Sequence, residues 1–245
     1  MLTDWIHWLS SLHRDQLLLF LLGLLLTDVP RYALTKLSMC LWHWVRSLWH
    51  GLSAKAAPTF DYCPSVGVVV AGYNEEETIE STLQSLWGSY PRLELIVVDD
   101  GSKDGMFEAA QRFAKTHDGV LAMHRDDRGG KSSALNWGLR YTQAEVIVVV
   151  DADSHLGPSA IWELVQPLKD PRVGAVPGAV VARNPFESLA TWLQAYEYLS
   201  TIFIGRMVSA WLGILGIVSG AFGAFRRAAL DNYVPLKVRR ATWHW

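Results

Sequence analysis

The stretch "VIVVVDADSHLGP", Val146 to Pro158, decides how this chain folds. Four valines and one isoleucine run without a polar interruption into Asp151-Ala152-Asp153. β-Branched side chains suit a pleated strand. An unbroken apolar run means a strand buried on both faces, as in a parallel sheet covered by helices. This buried strand ends on two carboxylates, and ligands of open α/β sheets bind just outside the carboxyl ends of the strands.

The same pattern repeats on either side. "VGVVVAGY" (66–73), "LELIVVDDGS" (93–102), "GVLAMHR" (119–125) and "VGAVPGAV" (173–180) read as further strands. Between them, 76–88, 104–117, 130–142 and 158–169 carry helical apolar spacing. Strand and helix in regular alternation predict an α/β domain built on a largely parallel sheet with flanking helices.

The residues after each strand therefore carry the functional reading. They are Tyr73-Asn74-Glu75, then Asp99-Asp100-Gly101-Ser102, then Arg125 to Lys131, then Asp151-Ala152-Asp153. One acidic strand end is an ordinary cap or turn. Four at one edge repel one another unless a cation or a sugar hydroxyl engages them. Asp151 and Asp153 can aim both carboxylates at one divalent ion, and oxygen ligands suit Mg²⁺ or Mn²⁺. Gly129-Gly130-Lys131, opening a helix, offers backbone N–H groups and a point charge to phosphates. Metal, diphosphate and lysine together describe a nucleotide-diphosphate site. No G-x-x-x-x-G-K-[ST] occurs and "GYNEEE" is not G-x-G-x-x-G, which excludes a P-loop and a dinucleotide fingerprint.

Composition sets the context. Half of the 245 residues are hydrophobic, 19% are charged and the net charge is -2, so no broad basic field points to nucleic acid. Cys40 and Cys63 have no metal-ligand spacing and read as thiols in a reducing compartment. Leu17 to Leu26 is apolar throughout, with Gly23 the one residue lacking a side chain. It falls short of the roughly 20 residues of a bilayer span unless extended past Pro30 as a kinked helix. Trp5, Trp8, Trp42, Trp44 and Trp49 flank it, and Arg31, Lys36, Arg46 and Lys55 follow it. The expectation is one or two membrane helices over 1–49, with the rest of the chain on the cytoplasmic side of the cell inner membrane. The alternative is a buried helical hairpin of a soluble protein. Residues 50–65 read as a linker, 66–230 as the α/β domain and 231–245 as an atypical tail. Residues 186–218 are apolar but broken by Glu187, Glu197 and Arg206. A charge within a span costs roughly 2.5–3.5 kcal/mol on insertion scales, so an amphipathic helix at the bilayer surface is expected.

"VVVAGYNEEETIESTLQSL", "LIVVDDGSKDG", "RGGKSSALNWGL", "VIVVVDADS" and "SGAFGAFRR", in this order, resemble inverting family 2 glycosyltransferases of the GT-A fold. The resemblance is closest to the processive membrane group that includes poly-N-acetylglucosamine, cellulose, chitin and hyaluronan synthases, and runs from about Val66 to Leu230. It implies a nucleotide-sugar donor, usually a UDP-sugar, a divalent metal, and a polysaccharide or lipid-linked acceptor. Matched motif by motif, it places Tyr73 and Glu75 near the nucleoside, Asp100 at the base and Lys131 at the diphosphate. Asp151 and Asp153 match the metal-binding pair. Ser219, Gly220, Arg226 and Arg227 match a segment lining the acceptor side, for which a glycine-rich strand with a basic end is the alternative.

The resemblance also implies a Glu-Asp pair, whose Asp is the general base, and a Gln-x-x-Arg-Trp segment. Neither occurs in the chain, and after Glu197 the sole carboxylate side chain is that of Asp231. The expectation is therefore a chain truncated at its C-terminus, with the catalytic base unassigned. Loss of such a base costs on the order of 10²–10⁴-fold in rate. Three readings stand: a transferase that adds a sugar such as N-acetylglucosamine to a growing polysaccharide, a donor-binding fragment without catalysis, and a polyprenyl-phosphate glycosyltransferase.

Overall fold

The structure, a computed structural model, describes residues 60–181, 184–198, 218 and 220–231, together with isolated positions between 13 and 45. The expected membrane segment of 1–49 lies almost wholly outside the described residues. At the positions that are described there, Leu18, Leu19, Leu22, Leu26, Leu37, Leu41 and Val45 are exposed. Among the described residues no helix is long and apolar enough to cross a membrane.

The valine-rich runs form the centre of the sheet. Strand β1 is Val66–Gly72, helix α1 Glu76–Leu86, β2 Leu93–Asp99, α2 Met106–Thr116, β3 Val120–His124 and α3 Lys131–Gly138. After a 3₁₀ turn at Leu139–Tyr141 come β4 Val146–Asp151, α4 Ala160–Val165, a second 3₁₀ turn at Gln166–Lys169, and β5 Ala175–Pro177. Helix α5 is Leu189–Glu197, β6 Phe222–Arg226 and α6 Arg227–Asp231. The sheet runs in the order β3-β2-β1-β4-β6-β5. β1 pairs in parallel with both β2 and β4, and β2 with β3.

The period of two along each strand divides the core. Val66, Val68, Val70, Val97, Val148 and Val150 face Ile79, Leu83, Met106, Phe113, Ile161 and Leu164 from α1, α2 and α4. Val69, Ile96, Val98, Ile147 and Val149 face Ala134 and Leu135 of α3. Both faces of the central strands are thus dry, which is why their sequences show no polar alternation.

Two expected elements are shorter than their apolar patterns, and a third is described only in part. The helix expected over 158–169 gives way to a 3₁₀ turn at Gln166–Lys169 because Pro167 has no N–H to donate. The strand expected over 173–180 keeps three residues, and Pro177 is tolerated in it because β5 is the edge strand and the bonds to β6 are made by its neighbours, Gly178 N–H donating to Phe222 O at 3.0 Å. The surface helix expected across 186–218 is described only as α5, begun by a capping box between Ser188 and Thr191. Leu189, Trp192, Leu193 and Tyr196 of α5 are exposed, and so is the preceding Phe186.

Residues 60–65, read as the end of a linker, lie against the domain. Tyr62 and Gln166 exchange backbone-to-amide hydrogen bonds in both directions, at 3.3 and 2.9 Å. The Tyr90 hydroxyl donates to the Pro64 carbonyl at 2.9 Å, and the Asp61 carboxylate pairs with Lys169.

β6 departs from the parallel direction of the central strands. It runs antiparallel to β4, with Phe222 opposite Val150 and Arg226 opposite Val146. The strand enters beside Asp151, where Asp151 donates its N–H to the Ala221 carbonyl at 3.2 Å, and leaves at the far edge of the sheet. Arg226 there donates from Nε to Val173 O at 3.2 Å and from Nη2 to Asp170 O at 3.0 Å. Arg227 donates its N–H to Glu145 O and a guanidinium N–H to Leu139 O. Both arginines, expected on the acceptor side, therefore brace the edge opposite the carboxyl ends of β1, β2 and β4. For these two arginines the placement agrees with the alternative, a strand with a basic end.

Candidate active site

The registers bring the strand ends to one level. Gly72 pairs with Asp99, Asp99 with His124, and Ala71 with Asp151. A cavity of about 250 Å³ opens above them. Tyr73, Glu75, Asp100, Lys131, Asp151 and Asp153 all line it, and so do Arg128 and Ala134. All six residues that the sequence assigned to donor and metal binding thus share one pocket. Gly220 is adjacent, since a Cβ built on it would lie 3.8 Å from Lys131 Nζ. Ser219 lies outside the described residues.

The two carboxylates of Asp-x-Asp are aimed by what happens to the residue between them. Ala152 is 2% exposed and its methyl group faces Gly72, where an added Cβ would come within 2.6 Å of it. The Ala152 carbonyl accepts hydrogen bonds from Thr82 Oγ1 at 2.8 Å and Thr78 Oγ1 at 3.1 Å, both on α1. Ser154 N–H closes the turn onto Asp151 O at 3.1 Å. With its middle residue anchored inward, the turn carries Asp151 and Asp153 on the cavity side. Asp151 pairs with Lys131 at the start of α3, while Asp153 stands exposed.

Asp100 has a different setting. It is 3% exposed, and its two oxygens accept the N–H groups of Gly129 at 3.0 Å and Gly130 at 2.6 Å. Arg125 Nη1 lies 3.6 Å from the same carboxylate. Asp100 therefore braces the turn that presents Lys131, as well as lining the cavity. The adjoining Gly101, at φ +80°, lets the chain pass under this turn, for a side chain there would sit 3.0 Å from Arg128 N.

Neighbouring loops lock to each other. Asp99, 1% exposed, accepts from Ser102 N–H at 3.1 Å and contacts His124 Nδ1 at 2.6 Å. Asn74, at φ +58°, accepts from Lys103 N–H at 2.9 Å and donates its own N–H to Ser102 Oγ at 2.9 Å. Asp104 accepts the Glu76 N–H at 3.0 Å, and Glu76 accepts the Gly105 N–H at 3.0 Å. Tyr73 and Glu75 thus project from a loop tied down on both sides.

Among the described residues no three histidines, cysteines or acids converge as a ready-made metal cage. Two carboxylates on one turn fit an ion that takes one or two protein oxygens and fills its shell with phosphate and water, the usual habit of Mg²⁺. Sequence reasoning missed two groups. Thr78 and Thr82 support the Asp-x-Asp turn from α1, and Arg128 lines the cavity with its guanidinium over the Tyr73 ring. The threonines carry no signal in a sequence, because helical threonines usually bond their own helix. Arg128 was visible within "RDDRGGK" but not distinguishable there from Arg125.

The glycosyl transferase family 2 model matches residues 67–234, more than half of the chain. The chain belongs to glycosyl transferase family 2. It is similar to the poly-beta-1,6-N-acetyl-D-glucosamine synthase of Staphylococcus epidermidis, with 33% identity over 169 residues, 68% of this chain and 40% of that protein. Against the synthase of the same name from Staphylococcus aureus (strain COL), identity is 29% over 190 residues, 77% of this chain and 46% of that protein. The chain thus spans under half the length of these curated relatives. Among solved structures, the mannosyltransferase PcManGT from Pyrobaculum calidifontis, in complex with GDP-Man and Mn²⁺, matches with a TM-score of 0.58 and 29% identity. That match covers 86% of this chain and 57% of that one. The mixed α/β sheet with flanking helices of this family 2 chain is the GT-A fold.

Proposed function

We propose that this chain binds a UDP-sugar, such as UDP-N-acetylglucosamine, with Mg²⁺ or Mn²⁺, and forms the donor half of an inverting transferase that extends a polysaccharide at the cytoplasmic face of the cell inner membrane. The single observation that carries the reading is the joint placement of Asp151, Asp153 and Lys131 with Tyr73 and Glu75 around one cavity at the carboxyl edge of the sheet. The donor class draws support from the nucleotide-sugar and Mn²⁺ in the PcManGT complex. The sugar and polymer draw support from the names of the curated relatives. The exposed leucines between positions 18 and 41 and the exposed apolar residues of α5 support membrane association.

In this reading Asp151 and Asp153 hold the cation, which when bound offsets charge on the leaving diphosphate. Lys131 adds a second positive charge at the same place, delivered by the Asp100-braced turn. Thr78 and Thr82 keep the two carboxylates aligned by fixing Ala152. Tyr73 and Glu75 border the nucleoside. Gly220, beside Lys131, leaves the acceptor side of the cavity open. The base for the acceptor hydroxyl is assigned to no residue of this chain.

Calorimetric titration of UDP into the purified chain, with and without MnCl₂, tests the reading. Metal-dependent binding that is lost in Asp151→Asn and Asp153→Asn is expected. Unchanged UDP affinity in both variants would refute the metal assignment. Sustained polymer formation from UDP-N-acetylglucosamine by the chain alone would refute the restriction to the donor half.

A further inference from the structure

Two cations line the cavity, and they are not equivalent. Lys131 is committed to Asp151. Arg128 makes no ion pair with a carboxylate among the described residues, and its guanidinium carbon lies 3.9 Å over the centre of the Tyr73 ring. The nearby Arg125 is a half-buried brace by contrast. It reaches Asp100 at 3.6 Å, donates to Ser133 Oγ at 2.7 Å and lies 6.0 Å from the Trp137 ring.

The main chain of Arg128 is held in place. Its N atom packs over Gly101, and the next two N–H groups bind Asp100. Its side chain is exposed. The part able to move is therefore the guanidinium, over a cavity that its own backbone helps to frame. Stacking on Tyr73 uses the flat face of the guanidinium. Its five N–H donors lie in the plane, in the fork that matches phosphate oxygens.

We infer that Arg128 is a further donor-binding residue. When the nucleotide arrives, its guanidinium leaves the Tyr73 ring for the diphosphate, and that ring face becomes a stacking surface for the base. The inference rests on the donor reading above. The chemistry favours such a second cation, because release of the sugar removes the only ester from the β-phosphate and leaves it a terminal phosphate, joined through the anhydride alone, with one more oxygen that ionises near neutral pH. A guanidinium engaged there holds the leaving group more strongly as that charge grows.

The test is calorimetric titration of UDP and, separately, of uridine into the full chain in MnCl₂, comparing the parent with Arg128→Gln and Arg128→Lys. In Arg128→Gln, the dissociation constant for UDP should rise roughly tenfold or more, the usual weight of hydrogen bonds to a charged group. Uridine brings no diphosphate to draw the guanidinium off the Tyr73 ring, so its affinity should not fall and should rise where the base gains the freed ring face. Arg128→Lys, which keeps the charge and loses the fork, should fall between the two. Because the side chain is exposed, the thermal midpoint of both variants should match the parent. UDP affinity unchanged in Arg128→Gln would overturn the inference while leaving the donor reading intact, provided the parent binds UDP with metal. Equal losses for uridine and UDP would overturn it as well, by moving the contact from the diphosphate to the base. No metal-dependent UDP binding by the parent would overturn the donor reading and this inference together.

Discussion

Asp100→Asn separates two roles for one carboxylate. The family resemblance places Asp100 at the nucleobase, whereas the structure shows it gripping the Gly129–Gly130 turn. The substituted amide has a single acceptor oxygen. Whichever way it is turned, one of the two glycine N–H groups then faces an NH₂ donor. Arg125, 3.6 Å away, also loses the negative charge opposite it. Asp100 is 3% exposed, so water does not readily replace the lost acceptor. A hydrogen bond to a charged group contributes about 1.5–3 kcal/mol, and the orphaned partners add to its loss. The expected destabilisation is about 3 kcal/mol. For a domain of this size that is a fall of roughly 6–12 °C in thermal midpoint. Thermal unfolding followed by circular dichroism, with uridine and UDP titrations on the same protein, measures it. UDP affinity should fall because the turn carrying Lys131 loosens. An unchanged midpoint together with lost uridine binding would refute the bracing role and return Asp100 to the base.

Two further outcomes follow from the packing. In Gly72→Ala the new methyl group would meet Met106 Cε and the Ala152 methyl at 2.3 and 2.6 Å. The variant should lose about 1–3 kcal/mol of stability and weaken metal-dependent UDP binding by displacing the Asp-x-Asp turn. Parental stability and affinity would show that the contact relaxes without reaching the turn. Burial, aided by the neighbouring Cys63 thiol, pushes the Tyr90 hydroxyl pKa well above its ordinary value of 10.0. The unfolded chain therefore releases this proton first, and folded stability should decline as pH rises past about 10. In Tyr90→Phe that alkaline decline should flatten, at a cost of about 1 kcal/mol at neutral pH for the lost bond to Pro64 O. An alkaline limb identical to the parent's in urea titrations would show that the hydroxyl does not govern it.

What could be read from the chain without its folded form was whatever depends on local pattern and on the edge rule for parallel sheets. Valine-rich runs without a polar residue at 66–70 and 146–150 declare strands dry on both faces, and their order with the helices declares the doubly covered sheet. Because such strands run the same way, the residues after each of them must meet. Tyr73, Glu75, Asp100, Lys131, Asp151 and Asp153 were therefore identifiable as neighbours before any distance was known. The direction of β6 was not. A strand of five residues reads the same whether it enters the sheet parallel or antiparallel, and the antiparallel choice sends Arg226 and Arg227 to the far edge. Nor could sequence separate the two duties of Asp100, because a backbone N–H partner in another loop leaves no trace in residue identity. Arg125 and Arg128, three positions apart, carry the same charge in the same loop. One is drawn beneath the turn against Asp100 and Trp137, and the other is left over Tyr73 at the cavity. That difference arises from contacts between segments distant in sequence, which only the packed structure brings together.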